Sequence, residues 1–187
     1  ISQMDQSIGE LRPPTRLMMT PGPSSIDPRV YRALSAPLVG HMDPWFVGTV
    51  IADTQELLRR LFQTENRVTF PLSASGSGGI EASVINPLEP GDEMIMAVNG
   101  AFSERMALIA ERTGATIHRV EVPLGRPVDP DDIRRFAKGR KIKLIGVCHG
   151  ETSTGVITPL EGFRAVADEV GALLVVDHRS RPLQFTF

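Results

Sequence analysis

At 187 residues the chain can bury one sizeable core, and its 41% apolar and 22% charged residues are those of an ordinary globular protein. A formal net charge of -2, with basic residues scattered and not interleaved with aromatics, argues against nucleic acid or an anionic membrane as partner. No apolar stretch approaches the roughly 20 residues that cross a bilayer, and the polar start Ile1–Arg16 lacks the core of a secretory signal. The lone cysteine, Cys148, fits a reducing, cytoplasmic compartment and reads as a small buried strand residue.

Ile1–Met19 reads as a polar arm, and Pro21–Gly22–Pro23 forces a turn after it. Asp27 is a helix cap with Pro28 at the first helical position, opening a short helix to about Ser35. Val47, Val50, Ile51, Thr54, Leu57, Leu58 and Leu61 recur at helical spacing and predict one long amphipathic helix. From Arg67 strands and helices alternate. Strands are expected at Val68–Leu72, Glu93–Val98, Thr116–Val122, Leu144–Cys148 and Leu173–Val176. Between them, helices are expected at Gly79–Asn86, Glu104–Thr113, Pro130–Phe136 and Leu160–Val170, with Glu89–Pro90–Gly91–Asp92 as a turn. That alternation predicts an α/β domain, a mainly parallel sheet with helices on both faces. The division expected is an arm over 1–19, a domain over 20–177 and an atypical tail over 178–187, where the strand and helix rhythm stops.

Ligands of such sheets bind beyond the carboxyl ends of the strands, and four segments fall there. Ser75–Gly76–Ser77–Gly78–Gly79 lies between a strand and a helix, where glycine amides, serine hydroxyls and a helix N-terminus suit a phosphate. A plain glycine-rich connector is the alternative. Glu81 replaces the third glycine of G-x-G-x-x-G, and no Gly-Lys-Ser/Thr completes a P-loop. Asn99–Gly100–Ala101–Phe102 carries an aromatic that can lie flat on a planar ring or serve as a core residue. His149–Gly150–Glu151–Thr152–Ser153–Thr154–Gly155 is a hydroxyl-rich loop able to donate to a phenolate or carboxylate, or simply a capped turn. Asp177 ends an apolar run; a buried carboxylate needs a cationic partner such as a pyridinium nitrogen, with a helix cap as the alternative. His41, His118, His149 and His178 show no metal-ligand spacing, so no metal is assigned.

Seven stretches in order now resemble the class V, fold-type I aminotransferases of the alanine–glyoxylate and serine–pyruvate group. They are Thr20-Pro-Gly-Pro-Ser-Ser, Val39-Gly-His-Met, Ser75-Gly-Ser-Gly-Gly-Ile-Glu-Ala, Leu88-Glu-Pro-Gly-Asp, Asn99-Gly-Ala-Phe, His149-Gly-Glu-Thr-Ser-Thr-Gly and Leu174-Val-Val-Asp. The resemblance covers about Met18 to Asp177 and implies an incomplete large domain of the pyridoxal 5'-phosphate (PLP) transferase fold. It implies that Ser75, Gly76 and Ser77 hold the PLP phosphate, that Phe102 stacks on the ring, and that Thr152 donates to the phenolic oxygen near the substrate carboxylate. Asp177 is then the pyridinium partner, Gly22 offers backbone to the substrate, and Gly40–His41 lies at the contact of a homodimer.

Two departures are noted. The family's Schiff-base lysine follows the strand after Asp177, and the only lysines here, Lys138, Lys141 and Lys143, fall at the wrong end of the sheet. The family's substrate arginine belongs to a C-terminal domain. With an Ile start and an atypical His178–Phe187, the expectation is a truncated chain that transaminates essentially nothing by itself. The activity expected of the complete enzyme is PLP-dependent transamination between alanine or serine and glyoxylate or pyruvate. A ureidoglycine–glyoxylate aminotransferase or another class V enzyme is the first alternative, and a non-catalytic dimerisation remnant the second.

Overall fold

The computed structural model describes residues 12–178. The chain divides into two compact units, Ile1–Gly40 and His41–Phe187. The first contains the bend around Gly22 and helix α1 (Pro28–Leu34), where Asp27 Oδ1 accepts the Arg29 amide at 2.8 Å. That is the expected cap, with proline in the first turn because its missing N–H would have had no acceptor there.

The second unit opens with a π-helical turn, Phe46–Ile51, running into α2 (Ala52–Phe62). One continuous amphipathic helix was expected here; the apolar periodicity is real, but the first turn is wound wider. Val47, Leu57 and Leu61 on this segment stay exposed. The rest alternates: α3 (Gly76–Ile85), β1 (Glu93–Val98), α4 (Ala101–Glu111), β2 (Thr116–Glu121), α5 (Pro130–Ala137), β3 (Ile142–Cys148), β4 (Gly150–Glu151), β5 (Val156–Ile157), α6 (Phe163–Val170) and β6 (Leu173–Asp177). Four strands form one parallel sheet in the order β2-β1-β3-β6, and β4 and β5 pair as a small antiparallel ribbon.

Period-two alternation sorts the strands' side chains onto two faces. Ile95, Ala97, Ile145 and Val147 meet Ile133 of α5 and Phe163 and Val166 of α6. Met94, Met96 and Leu144 point the other way, onto Ile80 and Val84 of α3 and Met106 and Ala110 of α4. The expected fold, a mainly parallel sheet covered by helices on both faces, is therefore the observed one.

One expected strand is absent. Residues 68–72 are irregular, with Val68 71% and Phe70 59% exposed. An apolar run becomes a strand only when a neighbour takes its N–H and C=O groups, and this segment pairs with neither sheet edge, β2 or β6. The arm's residues 1–11 and the tail's 179–187 lie outside the described residues.

Candidate functional site

The carboxyl ends of three strands lie side by side. Ala97 pairs with Val147 across β1 and β3, and Cys148 with Asp177 across β3 and β6. The loops after Val98 and Cys148 and the end of β6 at Asp177 therefore share one edge of the sheet. Asp177 is half-buried, its Oδ2 3.9 Å from Cys148 Sγ, and its carbonyl accepts the His149 amide at 2.9 Å.

Ser75 caps α3, its hydroxyl accepting from Gly78 N at 3.5 Å, and the first bond within the helix is Gly79 N to Ser75 O at 3.1 Å. Gly76 and Ser77 thus open the helix with amides that have no acceptor inside it. Such amides, a hydroxyl and the positive end of the helix dipole form a donor set that an anion can bind.

Arg105, one turn into α4, spans two of the expected groups. Its Nη1 lies 3.3 Å from Ser77 Oγ, and its guanidinium carbon sits 5.1 Å from the centroid of the Phe102 ring. One guanidinium therefore contacts both the glycine-rich loop and the aromatic. Nothing in the sequence singled out Arg105, because its value lies in reaching a loop 28 residues earlier.

The loops after β1 and β3 are joined by a group that the sequence reading passed over, Glu151. It is fully buried. Its Oε2 accepts the amides of Phe102 and Ser103, both at 3.0 Å, and its Oε1 accepts the Ser153 hydroxyl at 2.6 Å. Ser153 Oγ in turn accepts the Ala101 amide at 2.9 Å. The three amides that open α4 are capped entirely from a loop about 50 residues further on, which no local pattern could reveal. Burial by itself would raise the Glu151 pKa; the hydroxyls and amides of Ser153 and Ser103 outweigh it and hold the carboxyl below its ordinary value. Thr152, half-buried between these two pinned residues, makes no side-chain hydrogen bond among the described residues.

Gly22 belongs to the first unit, and Gly40–His41 is the boundary between the two. Lys141 and Lys143 stand at the opposite end of β3, where Lys143 Nζ pairs with Asp92 Oδ2 at 2.7 Å. Seven residues of strand, roughly 20 Å, separate them from the site edge.

A family model for aminotransferase class-V matches residues 42–183, three quarters of the chain. The chain belongs to the class-V aminotransferases. This class-V chain is 44% identical over 168 residues to the (S)-ureidoglycine–glyoxylate transaminase of Bacillus subtilis, covering 90% of the chain and 40% of that protein. It is 36% identical over 164 residues to the alanine–glyoxylate aminotransferase of Mus musculus, covering 88% and 39%. The crystal structure of the Bacillus subtilis ureidoglycine–glyoxylate aminotransferase superposes with a TM-score of 0.86 at 43% identity, over 90% of this chain and 43% of that one. An alanine–glyoxylate aminotransferase from Nostoc sp. gives 0.84 at 36%, over 94% and 47%. The chain thus spans about two fifths of the length of the curated relatives it matches. Among the described residues no helix is long and apolar enough to cross a membrane.

Proposed function

We propose that this chain is the cofactor-holding part of a PLP-dependent transaminase that moves an amino group between alanine or serine and glyoxylate or pyruvate. The observation that carries the reading is the bridge by Arg105 from Ser77 to Phe102. It sets an anion-binding helix start beside an aromatic ring, as a phosphorylated planar cofactor requires. The residues present fit PLP. Ser75, Gly76 and Ser77 would hold its phosphate, Phe102 would cover one ring face and exclude water there, and Thr152 would donate to the phenolic oxygen. Asp177, a carboxylate ending an apolar strand, would hold a proton at the ring nitrogen. Bound PLP supplies an electron-accepting ring for charge arising at the substrate Cα.

Gly22 is proposed to offer backbone to the substrate. The exposed apolar positions Val47, Leu57 and Leu61, with Gly40–His41 just before them, support a homodimer contact. None of Lys138, Lys141 or Lys143 serves the covalent role, since they belong to the other end of the sheet. A second reading, ureidoglycine as the amino donor to glyoxylate, is favoured by the 44% identity to the Bacillus enzyme against 36% to the mouse enzyme.

The test is glyoxylate consumption by the protein carrying this chain, with alanine, serine or ureidoglycine as donor, before and after PLP is stripped. Turnover that vanishes on stripping and returns with added PLP is expected. Turnover indifferent to PLP would refute the proposal, and borohydride labelling of Lys138, Lys141 or Lys143 would refute the site.

A further inference from the structure

The proposed site stands on two loops from different strands, and the carboxylate that joins them has no part in the reading above. We propose that Glu151 is a positioning residue, a latch that docks the amino end of α4 onto the loop after β3 and so fixes Phe102 and Thr152 in one geometry for the cofactor. The inference rests on the functional reading and deepens it by a residue acting only through its neighbours.

Three observations carry it. First, the latch accepts the amides of the first three residues of α4, while the Gly100 amide before them is taken locally by Ser103 Oγ at 3.0 Å. Ala101 N goes to Ser153 Oγ, and Phe102 N and Ser103 N go to Glu151 Oε2. An isolated cap would satisfy one donor from a neighbouring residue; here one buried carboxylate and its hydroxyl partner satisfy three across the sheet. Second, the approach is close enough to require Gly100, whose Cβ would lie 2.4 Å from Glu151 Cγ and 2.5 Å from its Cδ. Third, the residues held are those flanking the proposed contacts. Phe102 is gripped by its own amide, and Thr152 sits between Glu151 and Ser153, both bonded to α4.

The physical consequence is preorganisation. Ring and hydroxyl come from chain segments 50 positions apart, and unless something else joins them each must be ordered when the cofactor binds. A carboxylate at a helix N-terminus is favoured by the dipole as well. Releasing it lets the two loops move separately, and displacement of a positioning group by about 1 Å commonly costs around 100-fold in function.

The test compares Glu151→Gln and Glu151→Asp with the unaltered full chain. Gln keeps the shape but turns an NH2 group toward amide donors; Asp keeps the charge but retracts it by one methylene. PLP affinity and the induced circular dichroism of bound PLP report ring placement, and amide hydrogen exchange at Phe102 and Ser103 reports the latch without any cofactor. Ile133→Val, in the core on the other face of the sheet, controls for lost stability alone. We expect Glu151→Gln to weaken PLP binding about tenfold or more, with a diminished dichroic band and at least tenfold faster exchange. Ile133→Val should change neither, and Glu151→Asp should restore part of the band. Folded Glu151→Gln that binds PLP with unaltered affinity and dichroism would reduce Glu151 to a helix cap and overturn the inference. Should Glu151→Gln not fold, Ser153→Ala decides, since it removes the hydroxyl that bonds Glu151 Oε1 and accepts the Ala101 amide; unaltered PLP affinity and unaltered exchange at Ala101 overturn the inference equally. Failure of the unaltered protein carrying this chain to take up any PLP would overturn the functional reading and this inference together, whereas uptake unaffected by the variants overturns the inference alone.

Discussion

Gly100→Ala should be among the most damaging single-methyl additions in the protein. Its φ of 172° and ψ of -168° are extended values open to any residue, so the backbone imposes no penalty. The cost is steric. A Cβ would meet Glu151 Cγ, Glu151 Cδ and Ser153 Oγ at 2.4, 2.5 and 2.6 Å. Ser153 is exposed and can give way, but Glu151 cannot. Glu151 is fully buried and its carboxylate is held by three amides and two hydroxyls, so the side chain cannot swing into solvent. Restoring ordinary contact requires a shift of about 1 Å, which breaks or lengthens charge-assisted hydrogen bonds worth about 1.5–3 kcal/mol each. Overpacking adds about 1–3 kcal/mol, and partial relaxation offsets some of the sum. A loss of about 3 kcal/mol follows, near 10 °C in Tm for a domain of this size. Urea unfolding followed by far-UV circular dichroism would measure it, with equal m-values required for the comparison. Introducing Gly100→Ala into a Glu151→Ala background should cost far less, because the obstructing side chain is gone; the double-mutant cycle reads that coupling directly. A single-mutant effect below about 0.5 kcal/mol, within the usual range of surface substitutions, would show that Glu151 is not pinned as described.

The acid side of the stability profile should report the same carboxylate. Its folded pKa lies below the ordinary 4.5, so Glu151 contributes stability that is present above that value and lost as pH falls through the lower folded pKa. Glu151→Gln should therefore be less stable near neutrality yet flatter in acid, and parallel profiles for the two proteins between about pH 3 and 6 would contradict this. Phe163→Ala removes a fully buried ring that packs with Ile95, Val147 and Ile133, and should cost about 3–5 kcal/mol in the same unfolding assay. Arg105→Ala, at an exposed residue, should leave the fold nearly unchanged but weaken PLP binding about fivefold and lessen its salt dependence, a discounted charge-assisted contact of roughly 1 kcal/mol. Titration at two ionic strengths checks it, and unaltered affinity would remove Arg105 from the site.

Much of the fold was legible because it is written locally. The alternation that sends Met94 and Met96 to one face and Ile95 and Ala97 to the other needs only period two. The turn at Glu89–Asp92 closes on itself, Asp92 N to Glu89 O at 3.0 Å and Glu89 N to Asp92 Oδ2 at 2.8 Å. Asp129 and Pro130 start α5 where cap rules put it. The misplacements have two physical origins, local caps that were placed a few residues off and long-range partners that no local pattern shows. Helix α3 begins at Gly76, not Gly79, because a capping Ser75 and packing of Ile80 and Val84 override the poor helix propensity of three glycines. Helix α6 begins at Phe163, not Leu160, where Gly162 turns the chain with φ of 89°. Helix α4 begins at Ala101, not Glu104, because Glu151 and Ser153 of another loop accept its first amides, alongside the local bond from Gly100 N to Ser103 Oγ. Residues 68–72 fail as a strand for the mirror-image reason, an apolar run that finds no partner. Local chemistry thus marks where chain segments start and stop, while the interactions that hold two loops in register are visible only once the sheet has set them side by side. Glu151 is the extreme case, since a lone glutamate in a Gly-Glu-Thr-Ser loop has the sequence signature of a solvated residue and the structural role of a buried one. The same logic separates the proposed site residues into two kinds: Ser75, Phe102 and Asp177 were marked by their residue types beside expected strand ends, whereas Arg105 and Glu151 had to be found by what they touch.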